Sequence, residues 1–256
     1  MNKTKIRWTD YTSNPIYAID ANTMKRGWIC TRVSPGCGNC YAATLNRRIG
    51  TGHDFTPENW DKVTLFFNDN EIAEWRKEKY NDSKVFVCDM TDLFHEKMPI
   101  VYQTAAFIGM FNAPKLTFQL LTKRPAQMAH VVEMMMANAT DTGVDPLPKN
   151  IWVGTSVEDK LRKPRINVLR KIDAPVRFLS VEPLLEDVGE LDLDGISWVI
   201  VGGESGQKFR SMDPQWALNV RDQCRSQKVA FFYKQGSGIR TEMDPYLEGK
   251  LYEEFP

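Results

Sequence analysis

Leu116-Thr117-Phe118-Gln119-Leu120-Leu121-Thr122-Lys123-Arg124-Pro125 decides the fold. Its first six residues are short-run, mostly apolar and uncharged. That pattern suits a strand covered on both faces of a parallel sheet. Thr122-Lys123-Arg124 follows as a polar end, and Pro125 opens a helix to Ala137 at a position where proline is tolerated. Strand, polar end and helix form one unit, and the unit recurs along the chain.

Outward from this stretch, Val63–Phe67 reads as a strand and residues 70–80 as a helix. Val85-Phe86-Val87-Cys88 is followed by a helix near 100–111, and Ile151-Trp152-Val153-Gly154 by a charged helix near 157–171. Val176–Leu179 and Trp198–Val201 are further strands, and a helix over 214–226 leads to Val229–Tyr233. An early strand at Ile16-Tyr17-Ala18-Ile19 brings the count near eight. Alternation of strand and helix predicts an α/β fold. The expected architecture is a (β/α) TIM-like barrel, complete or partial, in one domain over 1–256. The Thr-, Asp-, Gly- and Pro-containing stretch 138–149 reads as a loop within it.

The 256 residues include 33 Lys plus Arg and 33 Asp plus Glu, so the formal net charge is zero. Neutrality excludes a generally polybasic nucleic-acid coat, though not a local basic patch. Hydrophobic residues at 42% and charged residues at 26% suit a globular chain that buries its own core. No apolar run approaches the roughly 18 residues of a membrane span. Met1-Asn2-Lys3-Thr4-Lys5 shows no signal-peptide pattern, and the expected location is the cytoplasm.

Five cysteines are present. Cys30, Cys37 and Cys40 fall within eleven residues, in the order C-x6-C-x2-C. Pro35, Gly36 and Gly38 let the loop over 28–41 turn sharply enough for its thiols to converge. In a reducing compartment such a trio is a candidate for metal binding. A [4Fe–4S] cluster on three thiolates leaves one iron open to another ligand. Zinc is the alternative, with His53 as a fourth ligand by a loop return. Cys88, inside an apolar run, and Cys224, on the late helix, read as small core hydrophobes.

Active sites of parallel α/β folds lie at the C-terminal ends of the strands. Asp89, Lys123, Arg124, Glu182, Glu204 and Lys234 all fall there, which predicts a charged, ligand-binding mouth. Thr155 and Ser156 end another strand. Asp92 reads equally as a helix cap, and His95 as a structural histidine or a base. Gly202-Gly203-Glu204-Ser205-Gly206 is either a plain turn or a place where backbone N–H groups line an anion. Lys123 and Arg124 are unfavourable at a helix start unless an anion is nearby. Trp8, Tyr11, Tyr17 and Trp28, among Arg7, Lys25, Arg26 and Arg32, suit either packing or stacking on a nucleotide.

These motifs carry a resemblance. Asn14-Pro15, Val33-Ser34-Pro35-Gly36-Cys37-Gly38-Asn39-Cys40-Tyr41, Asp92-Leu93-Phe94-His95, Leu121–Pro125, Val153–Glu158, Arg177–Leu184 and Val199–Gly206 together resemble a phage-associated family of unknown function. Its N-terminal three-cysteine motif is similar to that of radical S-adenosylmethionine (SAM) enzymes, which usually space it C-x3-C-x2-C. The resemblance implies a [4Fe–4S] cluster on Cys30, Cys37 and Cys40, with SAM on the open iron. Thr155, Ser156, Glu182, Gly203, Glu204 and Ser205 become candidates for holding SAM. Lys123, Arg124 and Glu182 become candidates for catalysis. Also implied are a nucleotide, DNA or RNA base as substrate, an electron donor, a separately encoded partner protein, and a bacterial or phage-infected cytoplasm. The alternatives are an iron–sulfur protein that does not use SAM and a zinc-stabilised module binding nucleic acid or protein.

Overall fold

The computed structural model describes residues 1–137, 147–241 and 244–256. Most of the loop expected over 138–149 lies outside them. An eight-stranded sheet organises the chain. Its strands, in chain order, are β1 (Asn2–Lys3), β2 (Tyr11–Ser13), β6 (Lys84–Val87), β7 (Thr117–Thr122), β8 (Ile151–Ser156), β9 (Val176–Val181), β10 (Trp198–Gly202) and β11 (Ala230–Gln235). From β2 to β11 neighbours pair in parallel; only β1 runs antiparallel. The sheet curls into a half-barrel, which is the partial form of the expected barrel.

Both faces of β6 to β11 are largely buried, which is why these six strands read as mostly apolar runs. Val85, Phe118, Leu120, Val153, Leu179, Val199 and Phe231 point to the outer helices. Phe86, Phe178, Trp198, Ile200 and Phe232 fill the inside of the curl around Trp8. Gly154 has no room for a side chain, since a Cβ there would lie 2.5 Å from the Phe178 ring. Gly154→Ala is expected to lose about 1–3 kcal/mol by overpacking, read as a lower midpoint in urea unfolding.

The open edge of β11 is covered rather than left to pair with another chain. Arg7 Nη1 donates to the carbonyls of Tyr233 and Lys234, at 3.4 and 2.8 Å. Phe232 forms a bridge with Glu253, and Tyr233 N donates to Tyr252 O at 2.9 Å. No helix among the described residues is long and apolar enough to cross a membrane.

Two expected barrel strands belong elsewhere. β3 (Ile16–Asp20) pairs antiparallel with β4 (Arg26–Gly27) and β5 (Val63–Phe67) in a separate three-stranded sheet. In β5 only alternate residues are half-buried, the mark of a ribbon with one wet face. The first parallel strand is instead Tyr11–Ser13, whose polar Thr12 and Ser13 gave no apolar signal.

Helices also depart from expectation at two places. The one over 70–80 is α3 (Asp69–Glu74), followed by a separate 3-10 turn at Glu78–Tyr80. The one over 157–171 is a 3-10 turn at Lys160–Arg162 and then α6 (Pro164–Leu169), because Pro164 has no N–H to continue an earlier helix. Three other expected helices stand as α4 (Ile100–Phe111), α5 (Pro125–Ala137) and α7 (Pro214–Ser226).

Candidate functional site: a cysteine loop clamped over the strand ends

Residues 28–41 run as an extended segment, a 3-10 turn at Pro35–Cys37, and then α1 (Tyr41–Ile49), with Cys40 at its N-cap. The loop lies across the C-terminal ends of the parallel strands. The ends of β6, β7, β8 and β10 are tied to it by hydrogen bonds; Glu182 and Lys234, after β9 and in β11, pair with each other instead.

Glu158, past the end of β8, is fully buried. Its carboxylate accepts from Ser34 Oγ at 2.6 Å and pairs with Lys123 Nζ at 2.6 Å and Arg165 Nη1 at 2.8 Å. Desolvation would raise its pKa. The Lys123 charge and hydrogen bond outweigh that, with help from Ser34 and Arg165, and hold it at about 2. Gly36 passes so close that a Cβ there would sit 2.6 Å from Glu158 Oε1.

Past the end of β10, Glu204 Oε2 accepts from Asn39 Nδ2 at 2.9 Å and from Arg210 N and Nε at 2.8 and 2.9 Å. Arg210 Nη2 also donates to Pro35 O at 3.0 Å. Glu204→Ala cuts both ties to the loop. It is expected to cost about 1–3 kcal/mol and to speed proteolytic cleavage within 34–40, with far-UV circular dichroism unchanged.

After β7, Arg124 donates to Thr31 O and Oγ1 at 3.1 and 2.8 Å, to Asp92 Oδ2 at 2.9 Å, and to Glu96 at 2.8 Å. Its Nη1 lies 3.9 Å from Cys30 Sγ. Asp92 also accepts from Phe94 N at 3.0 Å, so the capping reading and the site reading meet in one carboxylate. His95 Nε2 contacts Thr31 Oγ1 at 2.8 Å, and its ring stacks on Trp60 at 3.8 Å. Burial and the Arg124 charge push its pKa down to about 4, so it is a neutral structural histidine at pH 7.

After β6, Cys88 adopts a left-handed backbone with φ of 61°. That conformation is rare for a residue other than glycine. It turns the chain toward Asp89, which accepts from Asn14 Nδ2 at 2.6 Å; Tyr41 OH donates to Asp89 O at 2.6 Å. Burial raises the Asp89 pKa. Cys88 and Cys224 are buried free thiols, as the sequence suggested.

The three loop cysteines are half-buried and free. Loss of solvent and the charge of Asp92 push the Cys30 thiol up to about 12, against Arg124; the other two thiols also add to its rise. Burial raises Cys40 too, while the N–H groups of Ala43 and Ala42 and the charge of Lys123 pull it down. Thus the three sulfurs share one electrostatic neighbourhood, with Arg124 and Lys123 beside them. No group of three or more His, Cys, Asp or Glu among the described residues is arranged to hold a single metal ion. His53 contacts Asp20 through Nε2.

The remaining candidates divide. Glu182 pairs with Lys234 Nζ at 2.5 Å, and its charge reaches Tyr41. Thr155 is buried and donates to Thr122 O at 2.9 Å. Ser156 is buried, and its carbonyl accepts from Arg165 at 2.9 Å. Gly203 is packed shut, since a Cβ there would lie 2.5 Å from Ser237 N, and Ser205 bridges to Gly238. Trp8 is core, Trp28 packs against the Ile29 and Trp60 cluster, and Tyr11 meets Tyr80 edge-on; Tyr17, Phe66 and Arg26 form a stack at the surface, with Arg26 3.8 Å above the Tyr17 ring.

Glu158, Asn39 and Arg210 were missed as site residues. Asn39 lies within the cysteine motif and Glu158 directly after a strand, so both carried a positional signal. Arg210 carried none.

The fold and site therefore define an α/β half-barrel with a three-cysteine loop held over its strand ends. The chain belongs to the DUF5131 family, a protein family of unknown function whose model matches residues 3–256. No curated protein and no solved structure matches it.

Proposed function

We propose that this chain is an iron–sulfur enzyme of the radical SAM kind, with a [4Fe–4S] cluster on Cys30, Cys37 and Cys40. The observation that carries the reading is the seating of three electrostatically linked thiols over the C-terminal ends of parallel strands, beside Arg124 and Lys123. When bound, the cluster and SAM supply one-electron reductive cleavage that yields a 5′-deoxyadenosyl radical, given a low-potential electron donor.

The chain's own residues have separable tasks in this reading. Arg124 and Lys123 offset the negative charge of the thiolates. Glu158 and Glu204 fix the loop through Ser34 and Asn39. Glu182 and Lys234 pair with each other at the strand ends, with the Glu182 charge reaching Tyr41 beside the cysteine loop, so they are the groups proposed to meet SAM or substrate. Thr155, Ser156 and Gly203 serve through the backbone, since their side chains or Cβ positions are enclosed; Ser205 is half-buried. A nucleotide or nucleic-acid base is the proposed substrate class, with Lys234 facing its anionic part.

Reduction by dithionite in the presence of SAM is expected to release 5′-deoxyadenosine from wild type and much less from Lys234→Ala. An intact, reduced cluster that releases none would remove the SAM step and leave an iron–sulfur protein of another kind.

A further inference from the structure

The chain is neutral overall, yet residues 21–53 carry five cations and no acid. These are Lys25, Arg26, Arg32, Arg47 and Arg48, on either side of the cysteines. The fold draws their backbone together. Only Asn14 and Pro15 separate β2 from β3, and only Trp28 and Ile29 separate β4 from Cys30. The ribbon of β3, β4 and β5 therefore starts at the strand ends and returns to the cysteine loop. Gly27 of β4 packs on the last turn of α1: a Cβ there would lie 2.8 Å from Gly50 Cα, which sets the Arg48 end of α1 against the Arg26 strand. The acids nearby are committed elsewhere. Asp54 is shared by Arg32 and Arg47, at 2.7 and 3.1 Å, and Asp61 pairs with Lys97 at 3.0 Å. Glu58 faces the charge of Lys62, and Asp20 is buried against Thr23 and His53. Lys25, Arg26 and Arg48 are exposed and make no ion pair among the described residues.

The wet face of the ribbon adds a second feature. Tyr17 and Phe66 are cross-strand partners and stack at 5.5 Å, with ring planes 17° apart. Arg26 lies 3.8 Å from the Tyr17 ring. From β4 across β3 to β5 the row reads guanidinium, phenol, phenyl. β5 is an edge strand, and Phe66, at the end of the row, is 38% exposed. We propose that this surface binds single-stranded nucleic acid, with phosphates on Lys25, Arg26 and Arg48 and a base stacked at the Phe66 end of the row. This rests on the nucleic-acid reading of the substrate given above, and makes that substrate a strand rather than a free nucleotide. Cations beside stacked planar groups match the two repeating parts of a strand, its charges and its base faces. An acidic protein would use the cations and leave the row of rings without a role. A duplex keeps its bases stacked on one another, away from Phe66. From Arg26 to Cys30 the chain spans at most about 14 Å, so a strand held on the ribbon lies beside the cysteine loop.

Fluorescence anisotropy of a labelled oligothymidine of about twelve nucleotides, titrated with the full chain prepared without oxygen, tests this. Wild type is expected to bind it more tightly than a duplex of the same length, with a log–log salt slope of about −2 for three phosphate contacts. Phe66→Ala, at an exposed edge position, is expected to weaken binding about tenfold, with slope and circular dichroism unchanged, and Phe66→Trp to keep it. Lys25→Gln together with Arg48→Gln is expected to cut the slope to about −0.7. Lys171→Gln, at an exposed cation elsewhere, is expected to change nothing. A wild type that does not bind the strand overturns the proposal. So does binding that is unchanged in Phe66→Ala, a slope unchanged in the double variant, or a duplex bound as tightly. Release of 5′-deoxyadenosine, measured on the same preparation, separates the two readings. SAM cleavage without strand binding removes only this proposal, and strand binding without cleavage removes only the radical SAM chemistry.

Discussion

Cys40→Ala is expected to abolish iron binding, whereas Cys224→Ala is expected to leave it unchanged. Both residues are free cysteines with raised pKa values, so burial alone does not separate them. Position does. Cys40 sits at the start of α1 over the strand ends, electrostatically linked to Cys37 and Cys30. Cys224 lies on α7 inside the main core, packed among apolar side chains. Losing one of three protein thiolates leaves two, too few to hold a cluster against exchange with solvent thiols. Loss of most of the iron is therefore predicted for Cys40→Ala, and equally for Cys30→Ala and Cys37→Ala. Cys224→Ala is expected to show only a small loss of stability from the missing sulfur. Elemental analysis of anaerobically purified variants checks this; equal iron in Cys40→Ala and Cys224→Ala would contradict the assignment.

Glu158→Gln is the second large effect. The substitution keeps the shape and an acceptor for Ser34, but removes the charge that Lys123 and Arg165 both face. Removing one member of a buried ion group strands the others, at a cost of about 3–5 kcal/mol. The pH dependence has a definite sign. Glu158 has a folded pKa near 2, below its ordinary value of 4.5. Its stabilising contribution is present in full above 4.5 and disappears as pH falls through about 2. Urea unfolding is expected to show wild type losing its advantage over Glu158→Gln across that window. A constant difference between the two proteins from pH 7 to 2 would contradict it. Ser34 is three residues from Cys37, so the variant is also expected to retain less iron at neutral pH.

The parallel strands were legible because burial on both faces leaves an unmistakable run, as in Leu116–Leu121 and Trp198–Val201. The first strand was not, because Tyr11-Thr12-Ser13 is three residues long and two are polar. Ile16–Asp20 imitated a barrel strand by being apolar, yet its partners are antiparallel and lie outside the curl. In the site, the cysteine spacing and the charged strand ends could be read directly. What the charges do could not. Sequence places Glu204 and Glu158 at strand ends, but only the folded chain shows their carboxylates turned onto Asn39 and Ser34. Loop-to-loop pairings such as Asn39 with Glu204 join residues 165 apart, and no local pattern encodes them.

Iron and acid-labile sulfide per chain, measured on wild-type protein prepared without oxygen, test the central claim most directly. About four of each, with a brown colour and absorbance near ~400 nm, is the result predicted for a cluster on Cys30, Cys37 and Cys40. A colourless protein carrying about one zinc per chain would contradict it.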